Sequence, residues 1–166
     1  MIKYLILILI LLLSACQSEE SYEGSPLSIA VIGSEAPAHV EDSDALSAER
    51  YSLTEFEEER PDGYDAVLIL VDQLSEAADP VYVEMYEETE FTYVFAESEA
   101  GPLPFVMDAS YETEEPKWYG GPDLIFLEHD GDTHATLQVP LLDKTGESRE
   151  AEAYEQIWEA VEENRF

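Results

Sequence analysis

The chain has 166 residues, of which 39 are Asp or Glu and 7 are Lys or Arg, giving a formal net charge of −32 at pH 7. Nucleic-acid affinity rests on Lys and Arg neutralising phosphates, so a surface this acidic excludes nucleic acid as a partner. The single cysteine, Cys16, leaves the folded part with no disulfide, no redox Cys-x-x-Cys pair and no thiolate metal cage.

At the amino end, Met1 to Lys3 is a short basic lead-in and Tyr4 to Leu13 an unbroken apolar run. A membrane-crossing helix needs about 20 apolar residues. This run stops well short and is followed at once by Gln17, Ser18, Glu19 and Glu20. It has the proportions of a secretory signal. Leu13-Ser14-Ala15-Cys16 then resembles the lipobox of bacterial lipoproteins. That resemblance implies cleavage before Cys16, a diacylglycerol thioether on its sulfur, and residence on the extracytoplasmic face of the cell membrane. One acyl chain anchors marginally and two anchor stably, at about 0.8 kcal/mol per buried methylene. An ordinary signal peptide leaving a free exported thiol is the alternative. Residues 1–15 are thus expected as a signal peptide. Residues 16–26, rich in Ser, Glu, Gly and Pro, are expected as a flexible tether, and residues 27–166 as one acidic α/β domain.

Within that domain, Ser28 to Ile32 is a β-branched run stopped by Gly33, the pattern of a buried strand. A weaker strand is expected over Arg50 to Leu53. Ser52 and Glu55 have capping-box spacing, which predicts a short helix to about Glu59, ended by Pro61-Asp62-Gly63. Asp65 to Val71 is the clearest strand, apolar in succession, and so covered on both faces as in a central strand of an α/β sheet. Asp79 then offers an N-cap and Pro80 the first helical position. Ala78, Val81, Tyr82 and Met85 supply the stripe that packs on the sheet. Phe91 to Ala96 is the next strand, and strand–helix–strand order predicts a parallel, right-handed crossover. Gly101 to Tyr119 has no clear period. Leu124 to His129 and Thr133 to Val139 flank Asp130-Gly131-Asp132, a hairpin signal. Tyr154, Ile157, Trp158 and Val161 mark a closing amphipathic helix. The fold class is therefore α/β, a single-domain sandwich with a mixed, mainly parallel sheet, a late antiparallel hairpin and a C-terminal helix.

Candidate chemistry is sparse. The hairpin tip gathers Glu128, His129, Asp130, Asp132 and His134. A turn at Gly131-Asp132 sets the two imidazoles directly opposite, a nitrogen and oxygen arrangement suited to a divalent ion. A turn at Asp130-Gly131 makes them diagonal only. The tip is read here as a solvated turn with no metal assigned. Tyr111, Trp118 and Tyr119, beside Gly120 and Gly121, lie beyond a strand end, where α/β sheets place ligands. They are the candidate ligand-binding residues, able to stack on a sugar or peptide or to pin the loop to the core. Ser34 follows the first strand but has no Gly-x-Ser-x-Gly elbow and no assignable base. Gly33 lacks the further glycines of a phosphate-binding loop. No catalytic residue and no cofactor is assigned.

The runs Tyr64-Asp65-Ala66-Val67-Leu68-Ile69-Leu70, Leu74-Ser75-Glu76-Ala77-Ala78 and Phe95-Ala96-Glu97-Ser98 resemble small uncharacterised lipoproteins of spore-forming Gram-positive bacteria. That likeness implies location and fold and carries no activity. The acidic coat is read as a surface for a salty or alkaline exterior, where salt screens self-repulsion; recruitment of cations or of a cationic partner is the alternative. The expectation is a lipid-anchored extracytoplasmic binding or accessory protein of the cell envelope, held at the membrane through Cys16 and engaging another envelope protein or a small ligand. The alternatives are a metal-assisted envelope hydrolase using His129 and His134, and a calcium-dependent adhesion module.

Overall fold

The computed structural model describes residues 22–107, 109–111, 121–130 and 133–164. Six strands form one mixed sheet: β1 (Leu27–Ile32), β2 (Leu46–Tyr51), β3 (Ala66–Ile69), β4 (Thr92–Ser98), β5 (Asp123–Asp130) and β6 (Thr133–Pro140). Their spatial order is β2-β1-β3-β4-β5-β6. The pairs β1·β2, β1·β3 and β3·β4 are parallel, while β4·β5 and β5·β6 are antiparallel. The mixed, mainly parallel α/β sheet expected from the sequence is present.

Helices cover both faces, as the continuous apolar runs of β1 and β3 require. Alternate residues of the central strands β1, β3, β4 and β5 go to opposite cores. Ile29, Val31, Leu68, Val94 and Phe126 join a first cluster with α1 (Ala38–Glu41), through Val40, and with the closing helix α6 (Glu150–Glu163), through Ala153, Tyr154, Ile157, Trp158 and Val161. Ala30, Ile32, Val67, Ile69, Phe95 and Ile125 join a second with α2 (Leu53–Glu59), α3 (Leu74–Ala77), α4 (Pro80–Glu88) and α5 (Leu103–Val106). The four large α6 side chains are at most 2% exposed, and burial of each contributes about 2 kcal/mol. No helix among the described residues is long and apolar enough to cross a membrane.

Local chemistry sets the helix starts where the sequence predicts them. The Ser52 hydroxyl accepts from the Glu55 amide while the Glu55 carboxylate accepts from the Ser52 amide, a complete capping box. Donation from the Ser52 amide and from its hydroxyl to the Glu55 carboxylate holds that carboxyl below the usual range. Asp79 accepts from the Val81 amide, with Pro80 at the first helical position.

Several expectations shift. The second strand begins at Leu46, four residues before the Arg50 start read from the sequence, and ends at Tyr51. It is an edge strand, so its register with β1 fixes it and its four exposed central positions give no hydrophobic signal. The clearest strand stops at Ile69; Val71 opens a 3-10 turn and is 51% exposed. Val81 is also exposed, and Ala78 terminates α3 and does not belong to α4. The other three residues of that stripe, Ala78, Tyr82 and Met85, do lie in the second core, where Tyr86 joins them. The region from Gly101 contains the short helix α5.

Of the expected tether over 16–26, residues 22–26 are described. Tyr22 lies in the first core, and its hydroxyl donates to Glu162 on the last turn of α6 (2.8 Å). The Ser25 hydroxyl bonds the same carboxylate. Tyr22 and Ser25 are therefore tied to α6 while residues 23–26 are exposed; residues 16–21 lie outside the described residues.

Candidate functional site

In an open α/β sheet, ligands gather where neighbouring strands send their connections to opposite faces, at the carboxyl ends. Here that place is the seam between β1 and β3. The connection after β1 runs through α1 on the first face, and that after β3 runs through α3 and α4 on the second. Right-handed crossovers in a 2-1-3-4 order produce this divergence.

The seam is closed by the chain itself. Gly33 ends β1 with φ +133°, and a Cβ there would stand 2.7 Å from Asp72 Oδ1 and 2.7 Å from Leu70 Cβ. Only glycine lets the two connections approach this far. The Asp72 carboxylate lies over the turn and accepts from the Ser34 amide at 3.2 Å and from the Gln73 side chain at 3.2 Å. From the β2 side, Arg50 donates to the Gly33 and Ser34 carbonyls at 3.2 and 2.8 Å and pairs with Glu41. A loop that in other folds cradles a phosphate here holds the protein's own carboxylate. A second anion at the same amide would meet that charge at close range, so the seam is unsuited to phosphate. Ser34 is a backbone partner of Asp72 and is not presented as a nucleophile.

Further along the same rim, β4 departs from regular pairing. Its register with β5 breaks between Phe95 and Ser98, and Glu97 takes φ +59° although it is not glycine. The negative charge of Glu97 helps to raise the pKa of the Tyr154 phenol on the first face. Burial is the larger cause of that shift, and Glu150 adds to it. Tyr154 also lies against His39, ring centroids 4.4 Å apart. The hydroxyl of Tyr154 and the indole nitrogen of Trp158 are buried and make no hydrogen bond among the described residues.

The large apolar side chains exposed among the described residues are Val71, Val81, Leu103, Met107 and Leu137, at 42% to 51%. Four of these five lie on the connections that leave the carboxyl ends of β3 and β4, with α5 packed beside α4. The carboxyl rim is thus the apolar end of an otherwise acid-coated domain. The coat is uncompensated: Arg50, Arg60 and Arg149 each pair with a glutamate, Arg60 with Glu88 at 3.0 Å and Arg149 with Glu152 at 2.6 Å.

The residues singled out by sequence divide as follows. Cys16, Trp118 and Tyr119 lie outside the described residues. Tyr111 is half-buried, packs on Phe105 with centroids 6.0 Å apart, and accepts from the Glu99 amide at 3.3 Å, so it holds its loop against the second core. His129 and His134 are directly opposed in register, with ring centroids 5.8 Å apart. Glu128 does not join them. Strand alternation puts it on the opposite face, where it accepts from Asn164 at 3.0 Å. No group of three or more His, Cys, Asp or Glu side chains among the described residues is disposed to hold a metal. Asp72, Arg50 and Glu97 were not singled out by sequence. Asp72 follows a legible strand, but its place over Gly33 depends on β1 and β3 being neighbours, and nothing in the sequence marks Glu97 as left-handed.

No protein-family model matches this chain, and the comparisons with curated proteins and with solved structures gave no match.

Proposed function

We propose that the protein is a lipid-anchored, extracytoplasmic binding domain that docks a basic envelope protein on the carboxyl rim of its sheet. The observation that carries this is the concentration of exposed apolar residues there, Val71, Val81, Leu103 and Met107, on a surface whose remaining character is acidic. Exposed apolar side chains gathered on the connections at one end of a charged domain favour an interaction surface. Uncompensated carboxylates around it favour a cationic partner and speed its approach. A protein is preferred to a small anionic ligand because Asp72 already fills the seam where such a ligand would bind.

The position of the anchor supports the same reading. The chain enters the domain at Tyr22, beside the last turn of α6 and at the amino end of the parallel strands. Tyr22 is six positions beyond Cys16, a length of chain that reaches at most about 20 Å. Lipid on Cys16 would therefore hold the amino end toward the membrane and present the carboxyl rim outward.

Photocrosslinking residues placed at Val71, Leu103 and Met107 in cells, with Thr136 on the far edge as control, test the surface. One discrete protein adduct, seen at the rim and lost with Leu103→Ser/Met107→Ser, is expected. Equal adducts at Thr136, or none at the rim, would sink the docking reading. The intact mass of protein from its native membrane tests the anchor: a diacylated amino-terminal Cys16 is expected, and an uncut leader or a free thiol would remove the surface location.

A further inference from the structure

The β5–β6 hairpin ends at the amino side of the sheet, away from the carboxyl rim, because β5 runs antiparallel to β4. At that tip His129 and His134 are cross-strand partners with ring centroids 5.8 Å apart and planes tilted by 46°. Imidazoles bind zinc at about 2.0–2.1 Å, which places each ring centroid about 3.2 Å from the ion and two rings on one tetrahedral ion about 5.2 Å apart. The observed spacing is within about 0.6 Å of that value, a change that small side-chain rotations supply.

The two rings also differ in what they lack. His129 Nδ1 is shielded from solvent and makes no hydrogen bond among the described residues. A buried ring nitrogen left in that state is less stable than a satisfied one. His134 is exposed on the edge strand β6, so an ion reaches the pair from solvent. Neighbours of the same orientation on β6, Thr136 and Gln138, are uncharged and exposed, and leave the approach open.

We propose that His129 and His134 form a two-imidazole clamp for a borderline divalent transition-metal ion of the zinc, copper(II) or nickel class, with water completing its shell. Imidazole nitrogen selects that class over magnesium and calcium, which take oxygen ligands. The acidic coat raises the local concentration of every cation, and the histidine pair supplies the selectivity.

The test uses the full chain in detergent and zinc alone as probe, in enough sodium chloride to screen the acidic surface. Equilibrium dialysis is expected to give one zinc per chain that excess calcium does not displace. His129→Gln and His134→Gln should each weaken it by a factor of about ten or more, and the double variant should bind no more weakly than the weaker single one, since either change already breaks the chelate. The metal-free variants should keep the parent melting temperature to within a few degrees, because His134 is exposed and the pair lies at a hairpin tip. Zinc should also perturb the NMR signals of both imidazoles together. Unchanged affinity in the double variant, displacement by calcium, or perturbation of one ring without the other would overturn the clamp.

Discussion

Replacing Gly33 by alanine probes the closure of the β1–β3 seam most directly. The substitution has two costs. A φ of +133° is strained for any L side chain, at about 1–3 kcal/mol. The new methyl also meets Leu70 Cβ and Asp72 Oδ1 at 2.7 Å, and since Leu70 Cβ sits next to the backbone, relief requires β1 and β3 to part, at about 1–3 kcal/mol more. The sum is about 4 kcal/mol, a large share of the stability of a domain this size. Gly63→Ala separates the two costs, because Gly63 has φ +96° but nothing within 4 Å. It should lose only the strain. Urea unfolding of parent and both variants, with unchanged m values, gives the comparison. Gly33→Ala should lose about 2 kcal/mol more than Gly63→Ala. Asp72→Ala should cost about 1 kcal/mol less in the Gly33→Ala background than alone, since it removes one of the two clashing atoms. Equal losses for the two glycine variants would show that the seam is not closed as described.

Three further outcomes follow from the same coordinates. Ser52→Ala removes the hydroxyl half of the capping box, leaving the backbone amide to Glu55, and should lower stability by about 1 kcal/mol; a change below about 0.3 kcal/mol by urea titration contradicts the cap. Tyr154→Phe removes a buried hydroxyl with no partner among the described residues and should leave the domain as stable or more stable by up to about 1 kcal/mol. A loss of more than about 1 kcal/mol would reveal a partner for that oxygen. At high pH, burial pushes the Tyr93 phenol up to about 12 and raises Tyr86 and Tyr154 as well. Unfolded tyrosine titrates near 10, so the folded chain holds these protons more tightly. Their contribution is complete below about pH 10 and is lost as pH rises through the folded values, with Tyr93 alone accounting for about 3 kcal/mol by pH 12. Unfolding free energy measured between about pH 9 and 11 should therefore fall only in the upper half of that window, and an early or absent fall contradicts the burial.

What the amino-acid order determined by itself is local. The runs of β1, β3 and β4 read as buried strands because apolar residues in succession have no other stable disposition, and the caps at Ser52 and Asp79 act within three residues of themselves. Trp158 and its neighbours mark α6 through helical spacing alone. Tertiary structure decided whatever depends on which strands are neighbours. The edge strand β2 is placed by its register with β1, since its outward positions carry no hydrophobic pattern. Asp72 meets Gly33, and Glu97 approaches Tyr154, only after crossovers bring distant segments together. The hairpin shows the boundary between the two kinds of information. Its Asp-Gly-Asp turn was legible, but the sequence allowed two registers, and pairing along the whole length of β5 was needed to set His129 opposite His134. A one-residue change of turn costs little in the turn itself, whereas it would move Val139 out of the core and every β6 side chain to the other face, and that burial decides the register.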